Sequence, residues 1–208
     1  NLLPDIQAFK PSVLLVVPRV LEKVYNAASS KAGGGIKGRM FAWSAKQART
    51  FSVASEKTFG PGLFKKMRHG IADALVLKKI RSVLGPNLRY IVSGGAPLAT
   101  DLAHFYAGMG ITLIQGYGLS ETTGPISVQH IGKNPVGGVG LPLPGNFIKI
   151  AKDGEILVRG QSVMPGYYHL PEQTAEVMPD GKWFHTGDLG SIDRKGQLTI
   201  TGRKKELI

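Results

Sequence analysis

The sequence contains no cysteine, which excludes disulfide bonds and thiolate metal sites among its 208 residues. Long apolar runs are also missing, since the longest unbroken aliphatic stretch covers only residues 13–17. A helix that crosses a bilayer needs about 20 apolar residues. No charged segment followed by an apolar one is visible at the start, so we see no secretory leader. These absences favour a cytoplasmic protein.

Acidic residues are scarce relative to basic ones, with 14 against 26 and a net charge of +12. Twelve of the basic residues lie between Lys31 and Arg81, where the only acids are Glu56 and Asp73. Such a block can attract phosphates, anionic lipid or nucleic acid. It can also be the solvated face of basic helices, and the composition leaves both interpretations open.

The pattern of predicted secondary structure changes near residue 125. Before that point, strand-like runs alternate with helical patterns. Strands are predicted at residues 13–17, 88–92 and 111–114, and helices at 19–31, 36–59, 63–84 and 98–109. This alternation is typical of a parallel α/β layer covered by helices.

After residue 125 the helical patterns nearly vanish and short strands dominate. Strands are predicted at residues 147–151, 155–159, 190–193 and 197–201. The pair Asp153-Gly154 lies between two of them and is a strong hairpin signal. We therefore predict an α/β fold whose second part is a small antiparallel, barrel-like β subdomain.

Two glycine-rich segments follow strands of the predicted parallel layer, where open α/β sheets bind their ligands. They are SGGAP at residues 93–97 and QGYG at residues 115–118. Glycine lets a flat ring approach the backbone closely, and Tyr117 offers an aromatic face for stacking. Such segments are also common as tight turns, so their spacing alone is weak evidence for a nucleotide site.

One carboxylate, Glu121, lies among the hydroxyl side chains of the segment IQGYGLSETTGP at residues 114–125. Ser120 and Thr122 can donate hydrogen bonds to phosphate oxygens. A carboxylate repels phosphate unless a cation lies between them, and Mg²⁺ accepts ligands from carboxylates, phosphates and water. The segment is therefore consistent with a nucleotide loop whose acid holds the metal.

Two later segments carry further candidates. In WFHTGDLG (residues 183–190), Asp188 is either a turn cap or an acceptor for both ribose hydroxyls. In TGRKKEL (residues 201–207), Arg203 is either exposed surface or a bidentate ligand of ribose or phosphate. The five histidines show no metal-ligand spacing, and only His185 lies beside one of these segments.

The motifs SGGAP, QGYGLSE, WFHTGD and GRKKELI, taken in that order, resemble the adenylate-forming superfamily. This superfamily includes acyl-CoA synthetases, luciferases and the adenylation domains of peptide synthetases. The resemblance covers about residues 88–208. The segment VPRVLEKVY at residues 17–25 and the basic span after it are similar to the long-chain fatty acyl-CoA synthetase branch.

The resemblance implies an enzyme that joins a fatty acid to ATP as acyl-AMP, with release of pyrophosphate, and transfers the acyl group to CoA. Glu121 would hold Mg²⁺, Ser120 would contact the α-phosphate in place of the family's usual Thr, and Asp188 would bind the ribose. Arg203 would assist at the ribose, and the catalytic residues would be Ser120, Glu121 and Arg203. The adenine pocket would be lined by Gly94, Gly95, Ala96, Pro97, Gln115, Gly116, Tyr117 and Gly118, with the Tyr117 ring stacked on the adenine.

The same resemblance implies a division of the chain and marks what it lacks. Residues 1–125 would belong to an α/β nucleotide- and acyl-binding subdomain, 126–201 to a β-rich subdomain, and 202–208 to a hinge before a C-terminal domain. The family's phosphate loop ending in Pro-Lys-Gly is absent from the sequence, and its adenylation lysine is expected beyond Ile208. Gly202 replaces the usual hinge Asp. We therefore expect a fragment of a large N-terminal domain that does not catalyse alone.

Two alternatives stay open on the sequence alone. A fatty acyl-AMP ligase would hand the acyl group to a carrier protein instead of CoA. A non-catalytic module would use the basic span to bind an anionic surface, although this alternative leaves these motifs unexplained. We expect fatty acid, ATP and CoA as partners, no nucleic acid, and peripheral association with anionic membrane through the basic span.

Overall fold

The computed structural model describes residues 2–132 and 135–206. The chain divides into two compact units, the first being Asn1–Ile114 with Pro135–Gly137 and the second Gln115–Asn134 with Gly138–Ile208. Residues 207 and 208 of the predicted hinge lie outside the described residues. The subdomain boundaries inferred from the resemblance stay predictions.

The first unit is an α/β assembly in which helices outnumber strands. Its elements are α1 (Leu2–Phe9), β1 (Val13–Val16), α2 (Pro18–Ala32), α3 (Gly35–Ser55), α4 (Leu63–Ala72), a π-helical turn (Asp73–Leu77), α5 (Lys78–Leu84), β2 (Tyr90–Ser93) and α6 (Thr100–Gly108). Pro18 begins α2, where its missing N–H costs nothing. The helix predicted over residues 63–84 is therefore interrupted at its middle by the π-helical turn.

β1 and β2 pair in parallel, with Val13 opposite Tyr90 and Val16 opposite Ser93. This confirms the predicted parallel arrangement. Ile91 of β2 is buried in a core that the helices supply. Inside it, the Tyr106 hydroxyl donates to the Leu21 carbonyl oxygen at 2.8 Å, which satisfies the one polar group of a fully buried ring.

A charged clamp holds the π-helical turn in place. Both terminal nitrogens of Arg81 donate to the Asp73 carboxylate, and Nη1 also donates to the Met109 carbonyl oxygen at 2.7 Å. The hydrogen bonds from Arg81 lower the pKa of Asp73 and outweigh the opposing effect of burial. The clamp therefore ties the turn between α4 and α5 to the end of α6.

The second unit is mainly antiparallel β structure. Its elements are β3 (Thr112–Leu119, which starts in the first unit), a 3₁₀ turn (Ser120–Thr122), β4 (Gly124–Val128), β5 (Leu141–Pro142), β6 (Asn146–Ile150), β7 (Glu155–Gly160), α7 (Pro171–Val177), β8 (Phe184–Ile192), β9 (Leu198–Arg203) and a second 3₁₀ turn (Lys204–Glu206). β3, β4 and β5 pair antiparallel, and β6 to β9 form a four-stranded antiparallel sheet in chain order.

The two β layers of this unit curl toward each other. Val139 N–H donates to the Leu198 carbonyl oxygen at 2.8 Å, and Leu198 N–H donates to the Gly140 carbonyl oxygen at 2.9 Å. These bonds link the approach to β5 with the start of β9, around a core that contains Ile126 and Ile156. The predicted α/β class with an antiparallel, barrel-like second part is confirmed.

Two sequence predictions about loops were wrong. QGYG at residues 115–118 lies within β3, and residues 184–189 lie within β8. The glycines of β3 serve strand packing: a Cβ on Gly118 would lie 2.0 Å from the Gly124 carbonyl oxygen. Only glycine permits that approach, which explains why this strand has the composition of a loop.

Candidate functional site

SGGAP follows β2 in the first unit, at the carboxyl end of the parallel pair. Ser93 is buried, Gly94 is half-buried, and the next three residues are exposed. Gly95 has a φ of +79°, which strains any side-chain-bearing residue. The Ser93 hydroxyl has no hydrogen-bond partner among the described residues. The first predicted segment therefore presents exposed backbone at the sheet end where ligands bind in α/β folds.

The remaining predicted residues lie in the second unit. Gln115 at the start of this unit is buried, and its backbone N–H donates to Gln129 Oε1 at 2.9 Å. Its own Nε2 has no partner within the described part of the chain. Gly116 and Gly118 are half-buried beside β4.

Tyr117 is buried and packs in the core of the second unit. Its hydroxyl donates to Asp188 Oδ2 at 2.7 Å. Burial, reinforced by the Asp188 carboxylate, raises the pKa of Tyr117 well above its ordinary value, so the phenol stays a neutral donor. Stacking of this ring on an adenine stays a prediction.

Asp188 is not a turn cap, because its side chain bonds other side chains. It lies on β8 directly opposite Arg203 of β9, with Arg203 Nε 3.3 Å from Asp188 Oδ1. The Asp188 side chain is 8% exposed, whereas that of Arg203 is 66% exposed. The pair therefore combines a buried, oriented carboxylate with a guanidinium whose outer nitrogens face solvent.

Glu121 lies in the 3₁₀ turn after β3 and is half-buried. Its Oε1 accepts a hydrogen bond of 3.0 Å from the Tyr167 hydroxyl. Burial and this bond raise the pKa of Tyr167, so the donor is neutral. Within the described residues, Oε2 accepts no hydrogen bond, which leaves one carboxylate oxygen open to a ligand.

The two hydroxyl side chains beside Glu121 differ in their exposure and in their hydrogen bonds. Ser120 is exposed. Thr122 is fully buried, and its Oγ1 accepts from Leu119 N–H at 2.8 Å and lies 2.8 Å from the Gly124 carbonyl oxygen. The prediction that Thr122 donates to phosphate was therefore wrong, since this hydroxyl caps its own turn.

A buried acid that the sequence analysis missed supports the strand that carries Asp188. Glu155 Oε1 accepts from Gly187 N–H at 2.9 Å, and Oε2 lies 3.2 Å from His185 Nδ1 and 3.0 Å from Lys204 Nζ. Burial opposes ionisation, but the bonds from Lys204, Gly187 and His185 outweigh it and lower the pKa of Glu155. His185 thus has a structural partner in Glu155.

Lys204 extends this network beyond the end of β9. Its Nζ also lies 2.7 Å from Asp153 Oδ2 in the turn between β6 and β7. Alternation along β7 could not have marked this acid, because the first four residues of the strand, beginning with Glu155, are all buried. Nothing in the sequence paired this acid with a lysine 49 residues later.

The basic span forms helices with an exposed mixed surface. Leu63, Phe64 and Met67 of α4 are exposed, next to exposed Lys65 and Lys66. Of the aromatic residues in this span, Phe41 is buried, Trp43 and Phe51 are half-buried, and Phe59 and Phe64 are exposed. No helix within the described residues is long and apolar enough to cross a membrane.

A family model described as AMP-binding enzyme matches residues 1–168. Among curated proteins, the long-chain-fatty-acid–CoA ligase FadD15 of Mycobacterium bovis is 51% identical over 208 residues, which are 100% of this chain and 34% of that protein. The chain thus spans about a third of the length of this relative.

Solved structures show the same fold. The O-succinylbenzoate coenzyme A synthetase MenE of Bacillus subtilis, in complex with AMP, matches with a TM-score of 0.53 and 29% identity, over 66% of this chain and 31% of that one. The anthranilate CoA ligase AuaEII, in complex with anthranoyl-AMP, matches with a TM-score of 0.62 and 18% identity, over 100% of this chain and 32% of that one. The second likeness supports the fold alone.

Proposed function

Since this chain belongs to the AMP-binding enzyme family, we propose that its protein is a long-chain fatty acid–CoA ligase. The reaction has two steps: the fatty acid carboxylate attacks the α-phosphorus of ATP, giving acyl-AMP and pyrophosphate, and the CoA thiol then displaces AMP. The substrate class is supported by the 51% identity to FadD15 of Mycobacterium bovis, a protein named for that activity. The proposal applies to the whole enzyme, because this chain spans only about a third of the length of that relative.

The observation that carries the nucleotide site is the buried Asp188 carboxylate held between Tyr117 and Arg203. A carboxylate oxygen accepts more than one hydrogen bond, so Asp188 retains capacity for the two ribose hydroxyls. Arg203, whose side chain is 66% exposed, is proposed to assist at the ribose or the phosphate. Tyr117 fixes the direction of the carboxylate from the other side.

The residues around Glu121 fit a magnesium ion. The described residues contain no group of three or more His, Cys, Asp or Glu that could form an all-protein metal site. Mg²⁺ commonly binds through one or two carboxylates, with phosphate and water oxygens completing its shell, and Glu121 offers one open oxygen. When bound, the ion would neutralise phosphate charge next to the attacked phosphorus. Ser120, which is exposed, is proposed to donate to the α-phosphate.

The adenine is proposed to bind against the glycine-rich segments. The exposed backbone of Gly95, Ala96 and Pro97 can accept a flat ring without side-chain obstruction. Gly94 is proposed to contact the adenine from the same segment, and the adenine-binding role of residues 115–118 stays a prediction from the family resemblance. Gly202, which pairs with Leu189 of β8 near the end of β9, is proposed as the flexible point of the hinge.

The test is an acyl transfer assay on the whole enzyme with ATP, Mg²⁺ and palmitate. With CoA as the only acceptor, palmitoyl-CoA should form together with AMP and pyrophosphate. Accumulation of palmitoyl-AMP without palmitoyl-CoA, followed by transfer when an acyl carrier protein is supplied, would instead identify a fatty acyl-AMP ligase.

A second proposal concerns location: a cytoplasmic enzyme that binds anionic membrane through α4. The apolar residues Leu63, Phe64, Met67 and Ile71 recur at helical spacing and are exposed. Lys66 and Arg68 flank this face on its two sides. Fatty acids partition into membranes, so attachment there would bring the enzyme to its substrate.

A further inference from the structure

We propose that Tyr167 is a positioning residue that orients Glu121 for its metal. The inference rests on the proposed role of Glu121 and extends it to a tyrosine 46 residues away. The Tyr167 hydroxyl holds Oε1 of the carboxylate at 3.0 Å. The other oxygen is thereby directed away from the phenol and stays available.

The segment before Tyr167 docks on the turn that carries Glu121 through backbone contacts. Met164 N–H donates to the Glu121 carbonyl oxygen at 2.8 Å. The Thr123 hydroxyl donates to the Ser162 carbonyl oxygen at 2.9 Å. These two bonds fix the main chain of the turn, and the phenol is the one group in this segment that contacts the carboxylate itself.

Tyr167 is in turn held by the start of α7. Its backbone N–H donates to Thr174 Oγ1 at 2.9 Å, and that hydroxyl donates to the Leu170 carbonyl oxygen at 2.8 Å. Gly166 permits this packing, because its φ is +155° and a Cβ there would lie 2.8 Å from Thr174 Cγ2. The phenol therefore projects from a fixed backbone.

The chemistry of the contact favours a metal-oriented role over a purely structural one. Asp73 and Glu155 are each paired with a cation, Arg81 and Lys204 respectively. Glu121 accepts a hydrogen bond from a neutral phenol and, within the described residues, forms no ion pair, so its direction is fixed without a cationic partner. A carboxylate that must attract Mg²⁺ needs its negative charge, whereas one that ties elements together gains from a cationic partner.

The test compares Tyr167→Phe with Tyr168→Phe in the whole enzyme. Tyr168 is the adjacent residue, is 87% exposed and packs against His169. Two quantities are measured: the Mn²⁺ dissociation constant in the ATP complex, by electron paramagnetic resonance, and the Mg²⁺ concentration that gives half-maximal acyl-AMP formation. Thermal unfolding is followed in parallel.

Tyr167→Phe should raise both quantities about tenfold to a hundredfold, as expected when a hydrogen bond that orients a metal ligand is lost. Saturating Mg²⁺ should restore the rate to within about twofold, and Tyr168→Phe should change neither quantity. Unchanged metal affinity in Tyr167→Phe would overturn the inference. So would an equal loss of rate at every Mg²⁺ concentration together with a lower melting temperature.

Glu121→Gln separates failure of this inference from failure of the proposed metal site. If Glu121→Gln binds Mn²⁺ like the wild type, the metal role of Glu121 is wrong and the Tyr167 inference falls with it. If Glu121→Gln loses metal affinity but Tyr167→Phe does not, only the inference about Tyr167 is wrong. The double variant should show no loss beyond that of Glu121→Gln, because the phenol acts through the carboxylate.

Discussion

Asp188 Oδ2 accepts a hydrogen bond of 2.7 Å from the Tyr117 hydroxyl, which ties β8 to β3 inside the second unit. Both groups are buried, so the bond is protected from water and its loss would cost each group a buried hydrogen bond. The same carboxylate meets Arg203 from β9. One acid thus collects donors from two other strands and presents its remaining acceptor capacity in a fixed direction.

Asp188→Asn should weaken ATP binding while preserving an acceptor for Tyr117. The loss of charge-assisted bonds to the ribose hydroxyls, about 1.5–3 kcal/mol for such a bond, should raise the ATP dissociation constant by about tenfold to a hundredfold. Isothermal calorimetry on the whole enzyme measures it. Asp193→Asn is the control, since Asp193 caps the exposed turn between β8 and β9. If Asp188→Asn binds ATP as tightly as the wild type does, Asp188 only connects strands and does not bind the nucleotide.

Glu121→Ala should nearly abolish adenylation, by at least about a hundredfold, because the change removes the carboxylate proposed to hold the Mg²⁺ that would neutralise phosphate charge. Mg²⁺-dependent pyrophosphate release with ATP and palmitate measures this step. Glu172→Ala is the matched control, because Glu172 is an exposed acid in the first turn of α7. Pyrophosphate release at the wild-type rate in Glu121→Ala would remove the metal assignment.

Local patterns predicted the features that depend on neighbouring residues. The turn at Asp153-Gly154 forms as expected, with a φ of +87° at Gly154, because Asp-Gly favours that geometry wherever it occurs. The parallel pairing of β1 and β2 followed from the alternation of apolar strands with helices. The turn can be read from a short window of sequence, and the parallel arrangement from the order of strand and helix patterns along the chain.

The features that could not be predicted depend on contacts with residues outside the local sequence pattern. Gly118 looks like a loop residue, but it is a strand residue that the Gly124 carbonyl oxygen approaches. Glu155 looks like an exposed acid after a turn, yet its burial depends on Lys204 reaching it from beyond β9. α7 was missed because its seven residues are too few to show a helical period.

The candidate site likewise contains residues that sequence patterns predicted and residues that they did not. The motif order suggested that Asp188 and Arg203 act together, and β8–β9 pairing places them opposite each other. Tyr167 was not suggested by any pattern, because a single tyrosine in MPGYYHLP carries no local sign of its partner. The role of Thr122 was predicted wrongly, because a threonine that caps its own turn cannot be told by sequence from one that binds phosphate.

Asp73→Asn should destabilise the protein in a pH-dependent way. Hydrogen bonds from Arg81 hold the pKa of Asp73 below its usual value despite partial burial. A carboxyl whose pKa is lower in the folded state stabilises that state above its unfolded pKa of about 3.9, and the contribution is lost as the pH falls through the folded pKa. We expect a loss of about 1–2 kcal/mol at pH 7, shrinking below about pH 4.

Urea unfolding of wild type and variant at a series of pH values measures this difference. Glu22→Gln is the control, because the exposed Arg19–Glu22 pair, 3.8 Å apart, should contribute little. A difference that is constant from neutral pH to pH 3 would show that the Asp73 variant acts through packing and not through charge.

The basic face of α4 should direct the enzyme to anionic membranes. Lys66 and Arg68 flank the exposed residues Leu63, Phe64 and Met67, and each well-placed cation near an anionic surface is worth about 1 kcal/mol. Sedimentation with phosphatidylglycerol vesicles should show binding that weakens as salt is added. Phosphatidylcholine vesicles should bind far less. The variant Lys65→Glu/Lys66→Glu/Arg68→Glu should lose most of the binding.

The control for that variant carries the same change of charge elsewhere. Lys152→Glu/Lys182→Glu/Lys195→Glu replaces three exposed lysines of the second unit and should retain most of the binding, because an attraction that depends on α4 requires the charge beside its apolar residues. Equal losses in the two triple variants would mean that net charge alone governs the association. Equal binding of the wild type to anionic and neutral vesicles would leave α4 as ordinary solvated surface.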